Sequence, residues 1–106
     1  MMKTFSEKVL EKALMIPSGK VTTYGRIARA AGGGAMSAQS VTNILWKAQQ
    51  SGVKNIPYHR IVYADGKIWI NAKYRRKRLA LYKKEGVEID ERDRIKNFNK
   101  ILFEYK

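Results

Sequence analysis

Cysteine is absent from the 106 residues. That excludes disulfides, thiolate-bound metal and any thiol nucleophile, and it fits an intracellular compartment, where disulfides are rare. Histidine occurs once, at His59, so imidazole and thiolate cannot together build a metal site, and neither a metal nor a cofactor is expected. Proline occurs only at Pro17 and Pro57, which makes each a candidate fixed corner. No apolar run approaches the roughly 20 residues that cross a bilayer, and the N-terminus lacks the long apolar core of a signal peptide. The chain therefore reads as soluble and intracellular, with no membrane partner.

Acids are scarce as well. Nine of them stand against 22 Lys and Arg, for a formal net charge of +13. From Lys67 to Lys84 there are Lys67, Lys73, Arg75, Arg76, Lys77, Arg78, Lys83 and Lys84, and no acid. So large an imbalance in so small a chain points to a polyanion. Nucleic acid is favoured over a membrane surface, because no basic amphipathic helix with an exposed apolar face stands out. At 44% hydrophobic the chain can still bury a core. Its length makes that core a single one.

Thr4 and Glu7 have capping-box spacing, and Phe5, Val9, Leu10, Ala13 and Leu14 follow at helical spacing, predicting a helix over about 5–15. Ile16-Pro17-Ser18-Gly19-Lys20 turns the chain. Thr22 and Thr23 offer a cap for a short helix carrying Tyr24, Ile27, Ala28 and Ala31. Gly32-Gly33-Gly34 breaks it. Without a Lys-Ser/Thr ending or a preceding strand, this is a turn and not a phosphate loop. Ser37 can cap a third helix reaching Gln50, with Val41, Ile44, Leu45 and Ala48 inward. Two short helices across a glycine turn outline a helix-turn-helix whose second helix is the reader. The outer side of that helix (Ala38, Gln39, Ser40, Thr42) is small and neutral. It suits close approach to a DNA backbone, and equally an ordinary polar face.

Arg60-Ile61-Val62-Tyr63 and Lys67-Ile68-Trp69-Ile70 flank Ala64-Asp65-Gly66, a tight-hairpin signal. A helix over about 72–85 stops at Gly86, and Asp90 can cap a last amphipathic segment with Ile95, Phe98, Ile101 and Leu102 inward. The expected fold class is α+β, mostly α: one winged-helix-like DNA-binding domain over 1–106, with a helix-turn-helix and a short β-hairpin wing. Its core is expected over about 5–90, and its C-terminal amphipathic segment over about 91–106.

In Ile56-Pro57-Tyr58-His59-Arg60-Ile61-Val62, proline fixes its own φ and holds Ile56 extended. Tyr58 and His59 thus leave the chain at a fixed corner, where they can meet a ligand or pack at a strand entrance. Four segments then fall in order: Ile16-Pro17-x-Gly19-Lys20-Val21-Thr22-Thr23-Tyr24-Gly25-x-Ile27-Ala28, Ala38-x-x-Val41, Ile56-Pro57-x-His59-Arg60-Ile61-Val62 and Glu85-Gly86-Val87. Together they resemble the C-terminal domain of the O6-alkylguanine-DNA alkyltransferases, whose reactive site reads Pro-Cys-His-Arg-Val. Tyr58 stands where that family has its alkyl-accepting cysteine. In this the chain is similar to the alkyltransferase-like proteins, which replace the cysteine, usually by tryptophan.

The resemblance implies a non-enzymatic monomer that enters the minor groove of double-stranded DNA and turns an O6-alkylguanine out into a pocket. It implies that the lesion is flagged for nucleotide excision repair proteins, in the cytoplasm and on the nucleoid, or in a eukaryotic nucleus. The implied lesion pocket comprises Tyr24, Leu45, Pro57, Tyr58, His59, Ile61, Trp69 and Glu85. Tyr24 would meet the rotated phosphate, the carbonyls of Tyr58 and Ile61 would accept from guanine, and Glu85 would orient His59. The implied DNA contacts are Tyr24, Ser37, Ala38, Gln39, Ser40, Thr42 and Arg60, with Gln39 in place of the family's intercalating arginine.

Tyrosine chemistry agrees with loss of transfer: a phenol of pKa about 10 is only ~0.1% ionised at neutral pH, against a few per cent for a thiol. On the residues alone two other readings stay open. One is a general winged-helix DNA-binding protein without lesion selectivity; the other is an alkyltransferase that uses Tyr58.

Overall fold

Helix α1 (Phe5–Leu14) begins where the Thr4/Glu7 spacing places it. The Glu7 amide donates to the Thr4 hydroxyl at 3.1 Å and the Thr4 amide donates to the Glu7 carboxylate at 3.3 Å, closing the capping box. The computed structural model describes residues 3–105, with 35–37 described by backbone alone. After the Pro17–Gly19 turn comes a two-residue strand, β1 (Thr22–Thr23). Thr23 also caps α2 (Tyr24–Ala30), accepting from the Arg26 amide at 3.2 Å.

The third helix starts later than expected. Residues Ala35–Ser40 wind as a 3-10 turn, and α3 runs over Val41–Gln50. No side chain caps either start, and the Val41 amide bonds to the Ala38 carbonyl, so the lead-in closes by tighter three-residue bonds. The cap expected from Ser37 concerns a side chain outside the described ones. The helix-turn-helix outline stands as α2 followed by α3.

Strand β2 (Ile61–Val62) lies parallel to β1, with Thr22 opposite Ile61 and Thr23 opposite Val62. Strand alternation sends successive side chains to opposite faces. Ile61 therefore enters a cluster with Val9, Ala13, Ile16, Ile27, Ala28, Val41 and Leu45 under the first three helices. Val62 enters a second cluster with Val21, Ile68, Tyr82, Val87 and Ile95.

The mostly helical α+β class holds, but the hairpin wing needs correction. Asp65-Gly66 does make a tight turn, the Gly66 amide bonding to Tyr63 at 2.9 Å. Only one cross-turn bond follows, from the Tyr63 amide to the Lys67 carbonyl at 3.0 Å. The next residues pair elsewhere: Lys67 bridges Arg94, and the Ile68 amide bonds to Asp93 at 2.8 Å. β2 is already held by β1, and Ile68 is buried where the C-terminal segment can reach it.

The fourth helix also begins late. Asn71 accepts from the Tyr74 amide at 2.9 Å, a local turn that occupies 71–74, and α4 spans Arg75–Lys84. It ends through Gly86 at φ +75°, with the Val87 amide bonding back to the Tyr82 carbonyl at 2.9 Å. Asp90 caps a turn and not a helix, accepting from the Arg92 and Arg94 amides at 2.8 and 3.1 Å. The final helix, α5 (Phe98–Ile101), is a single turn. The core also runs past residue 90: Ile95 is buried, Phe103 and Tyr105 pack on the first cluster, and the Tyr105 hydroxyl donates to the Lys12 carbonyl at 2.6 Å.

One carboxylate ties these parts together. Glu85, its side chain 8% exposed, accepts from His59 Nε2 at 2.7 Å, Arg60 Nη2 at 2.6 Å, Arg60 Nε at 3.1 Å and the Gly19 amide at 3.1 Å. Arg60 Nη1 donates onward to the Ile16 carbonyl at 2.9 Å. Gly19 sits at φ +86°, a conformation costly for other residues, which turns its amide to the carboxylate. Burial alone would raise the Glu85 pKa; the donors from Arg60, His59 and Gly19 outweigh it and hold the group at about 2 instead of 4.5.

Two stability predictions follow from this architecture. The Thr22 hydroxyl is buried without a hydrogen-bond partner among the described residues. Thr22→Val, similar in shape and better suited to a strand, is expected to raise unfolding stability by about 1 kcal/mol. A lower denaturation midpoint would mean that the hydroxyl is satisfied after all. Glu85 gives stability that is fully present above pH 4.5 and is lost as pH falls through about 2. The stability gap between the native chain and Glu85→Gln should therefore shrink by about 3 kcal/mol between those limits. A gap independent of pH would dissolve the clamp.

Candidate nucleic-acid interface

The packing inward of Val41 and Leu45 leaves the other side of α3 facing out. Thr42, Trp46 and Gln49 lie on that side at helical spacing, with Ala38 and Gln39 from the 3-10 turn beside them. They form one side of a cleft of about 820 Å³. The remaining lining comes from Tyr24 at the start of α2, from Tyr58, Tyr63, Trp69 and Tyr74, and from Arg78 on α4. Trp46, Tyr63, Trp69 and Tyr74 keep 41–55% of their surface exposed. So many adjoining exposed aromatics mark a binding surface, since each is a large apolar area that a ligand can cover.

Specific contacts set these rings. Tyr24 and Tyr63 lie 5.7 Å apart between centroids, tilted at 44°. The Arg78 guanidinium lies over Trp69, 5.6 Å from the ring centre. The Tyr58 hydroxyl donates to Gln49 Oε1 at 2.8 Å, which fixes that ring against α3. Among the lining residues there is no acid, and Arg78 is the one charge, so the cleft favours an electron-rich or anionic guest. Burial pushes the Tyr24 phenol up, with Thr42 acting the other way. Burial also pushes Tyr58 up, and Tyr24 adds to it.

Of the residues expected from the sequence, Tyr24, Tyr58 and Trp69 line the cleft, as do Ala38, Gln39 and Thr42. Ser40 is exposed beside it. Leu45, Pro57 and Ile61 are buried behind the walls and act as backing. His59 and Glu85 form the clamp behind Tyr58, and the His59 and Tyr82 rings lie edge to face, 5.9 Å apart between centroids. Arg60, implied as a DNA contact, has its guanidinium engaged by Glu85 and by the Ile16 carbonyl.

Trp46, Gln49, Tyr63, Tyr74 and Arg78 were not anticipated in the cleft. Part of the signal was present, because Trp46 and Gln49 continue the outer side of α3 begun by Thr42. An exposed tryptophan opposite a core stripe is the feature that could have found that wall.

The comparisons agree with this geometry. Residues 4–87 match the family described as 6-O-methylguanine DNA methyltransferase, DNA binding domain. No curated protein is matched by sequence. Among solved structures, S. pombe Atl1 in complex with damaged DNA containing O6-carboxymethylguanine superposes with a TM-score of 0.72 at 25% identity, covering 98% of this chain and 100% of that one. S. pombe ATL in complex with DNA gives 0.71 at 27% identity, with the same coverage. An M. tuberculosis O6-methylguanine methyltransferase variant gives 0.58 at 25% identity; 80% of this chain is covered, but only 50% of that enzyme. With its match spanning most of the described chain and its fold shared end to end with Atl1, this protein belongs to the 6-O-methylguanine DNA methyltransferase DNA-binding-domain family, in the alkyltransferase-like form.

Proposed function

We propose that this chain binds damaged DNA, taking an O6-alkylguanine turned out of the duplex into the cleft at Tyr58, and that it leaves the alkyl group in place. The observation that carries this reading is Tyr58 itself: at the position of the family's cysteine it walls an open, acid-free aromatic cleft. The likeness to Atl1, solved on DNA containing O6-carboxymethylguanine, supports the lesion class.

Dealkylation is an attack on saturated carbon and needs an ionised, soft nucleophile. Burial raises the Tyr58 phenol above its ordinary value, so its ionised fraction is below the ~0.1% of a free phenol at neutral pH. Its proton faces the Gln49 amide oxygen, which is no base, while His59 Nε2 is engaged by Glu85. A tyrosine so placed binds better than it reacts. Extruding a base costs a few kcal/mol, least where alkylation has weakened its pairing, and stacking on an aromatic side chain can return about 1–3 kcal/mol. Gln39, exposed at the cleft edge, would fill the gap left in the stack. The protein–lesion complex would then serve as the mark for nucleotide excision repair.

Titrating the protein with a duplex containing O6-methylguanine and with the same duplex containing guanine should give clearly tighter binding to the first. Equal affinities would leave a general DNA-binding protein. Tyr58→Ala is expected to lower affinity for the lesion about tenfold or more while largely sparing undamaged duplex. Mass spectrometry after incubation with the methylated duplex should find the protein mass unchanged. A stoichiometric added methyl would make it a transferase.

A further inference from the structure

The cations of α4 divide by direction. Arg78 turns into the cleft over Trp69, and Arg75 pairs with Asp93 at 3.0 Å. Arg76, Lys77, Lys83 and Lys84 are exposed, and among the described residues none has a carboxylate partner. The helix gains nothing locally from this arrangement. Its first turn has no acid and begins Arg75-Arg76-Lys77-Arg78, so like charges crowd the positive end of the helix dipole. A segment that breaks a local rule without internal compensation is a place to seek a partner of opposite charge.

Helical geometry sorts the four further. At about 100° per residue, positions seven apart fall within about 20° of each other, so Lys77 shares a side with Lys84 and Arg76 shares another with Lys83. The Lys77/Lys84 side continues outward from the cleft edge formed by Tyr74 and Arg78, with only the exposed Leu81 between. The Arg76/Lys83 side lies beyond Leu79 and Tyr82, which pack into the second core cluster. Lys77 and Lys84 are about 10 Å apart along the axis, near three phosphate steps of a DNA strand.

We infer that the Lys77/Lys84 side of α4 is a second DNA-contact surface, which takes phosphates of the strand flanking the cleft, while the Arg76/Lys83 side stays in solvent. The inference rests on the DNA-binding part of the proposed function and is independent of lesion selectivity. Its role is sequence-neutral grip: it holds the duplex along α4 whether or not a damaged base has entered the cleft.

The test uses the full chain and a duplex of about 20 base pairs, with guanine or O6-methylguanine, titrated by fluorescence anisotropy at several salt concentrations. Lys77→Gln with Lys84→Gln should flatten the slope of log affinity against log salt by about 1.8. It should weaken both duplexes by the same factor, leaving the lesion-to-guanine ratio unchanged. Arg76→Gln with Lys83→Gln removes equal charge and should leave the slope close to native. Equal flattening by both pairs would reduce the effect to net charge and overturn the assignment, as would no flattening by the first pair. A native ratio of one would remove lesion selectivity while leaving the comparison of the two pairs intact.

Discussion

Glu85 is the interaction on which the rest of this structure depends. A carboxylate taken out of water is costly unless its oxygens are well satisfied. Here donors from two separate segments satisfy it, Gly19 after α1 and His59 with Arg60 in the central motif, and both are thereby tied to the end of α4. The planar guanidinium matches the carboxylate with two nitrogens and has a third left for the Ile16 carbonyl. A lysine has three donors on one nitrogen and could not pair side-on with the carboxylate in this way. A buried ion pair is weak evidence for stability, because desolvation offsets much of the attraction. Its consequence here is geometric: Tyr58 precedes two clamped residues and follows a buried proline, so its ring has a fixed origin.

The clamp lies where the two core clusters meet. The short parallel pair of β1 and β2 separates them, and alternation along Ile61-Val62 supplies one side chain to each. The C-terminal stretch then closes the molecule from outside, bridging Val21 through Leu102 and reaching α1 through Tyr105. With both ends of the motif anchored in packed clusters, the open face is free to carry aromatics that a core would otherwise claim. Exposed tryptophan and tyrosine are a liability in a monomer. Surrounding them with cations and excluding acids biases what they meet towards nucleic acid.

What could be read in the sequence was what depends on near neighbours. The Thr4/Glu7 box, the Thr23 cap and the stop at Gly86 are local hydrogen-bond patterns, and all three are present. The ordered motif segments carried the family, and residues as far apart as Gly19 and Glu85 meet in the fold. Pairings chosen across distance were hidden. Lys67 and Ile68 look like the return strand of a hairpin, yet after one bond to Tyr63 they pair with Arg94 and Asp93. Arg60 reads as a free cation until Glu85 folds against it. Leu45 is implied as a pocket residue, although helical periodicity turns its side chain into the first cluster. The far wall of the cleft was the least legible part, since Tyr63, Tyr74 and Arg78 face α3 only once the whole chain is folded.

The histidine–glutamate arrangement behind Tyr58 has a consequence for how such a site changes role. In a thiol enzyme, a histidine held by a carboxylate can act as base to the nucleophile beside it. In this chain the same pair is intact, but the neighbouring side chain sends its proton to Gln49. The pair holds the two residues that follow Tyr58, and so positions the ring on which a base would stack. Attack on an alkyl carbon needs reacting atoms near 3–3.5 Å apart and aligned. Stacking needs no such alignment, and a cleft of about 820 Å³ walled by aromatic rings offers it a wide surface.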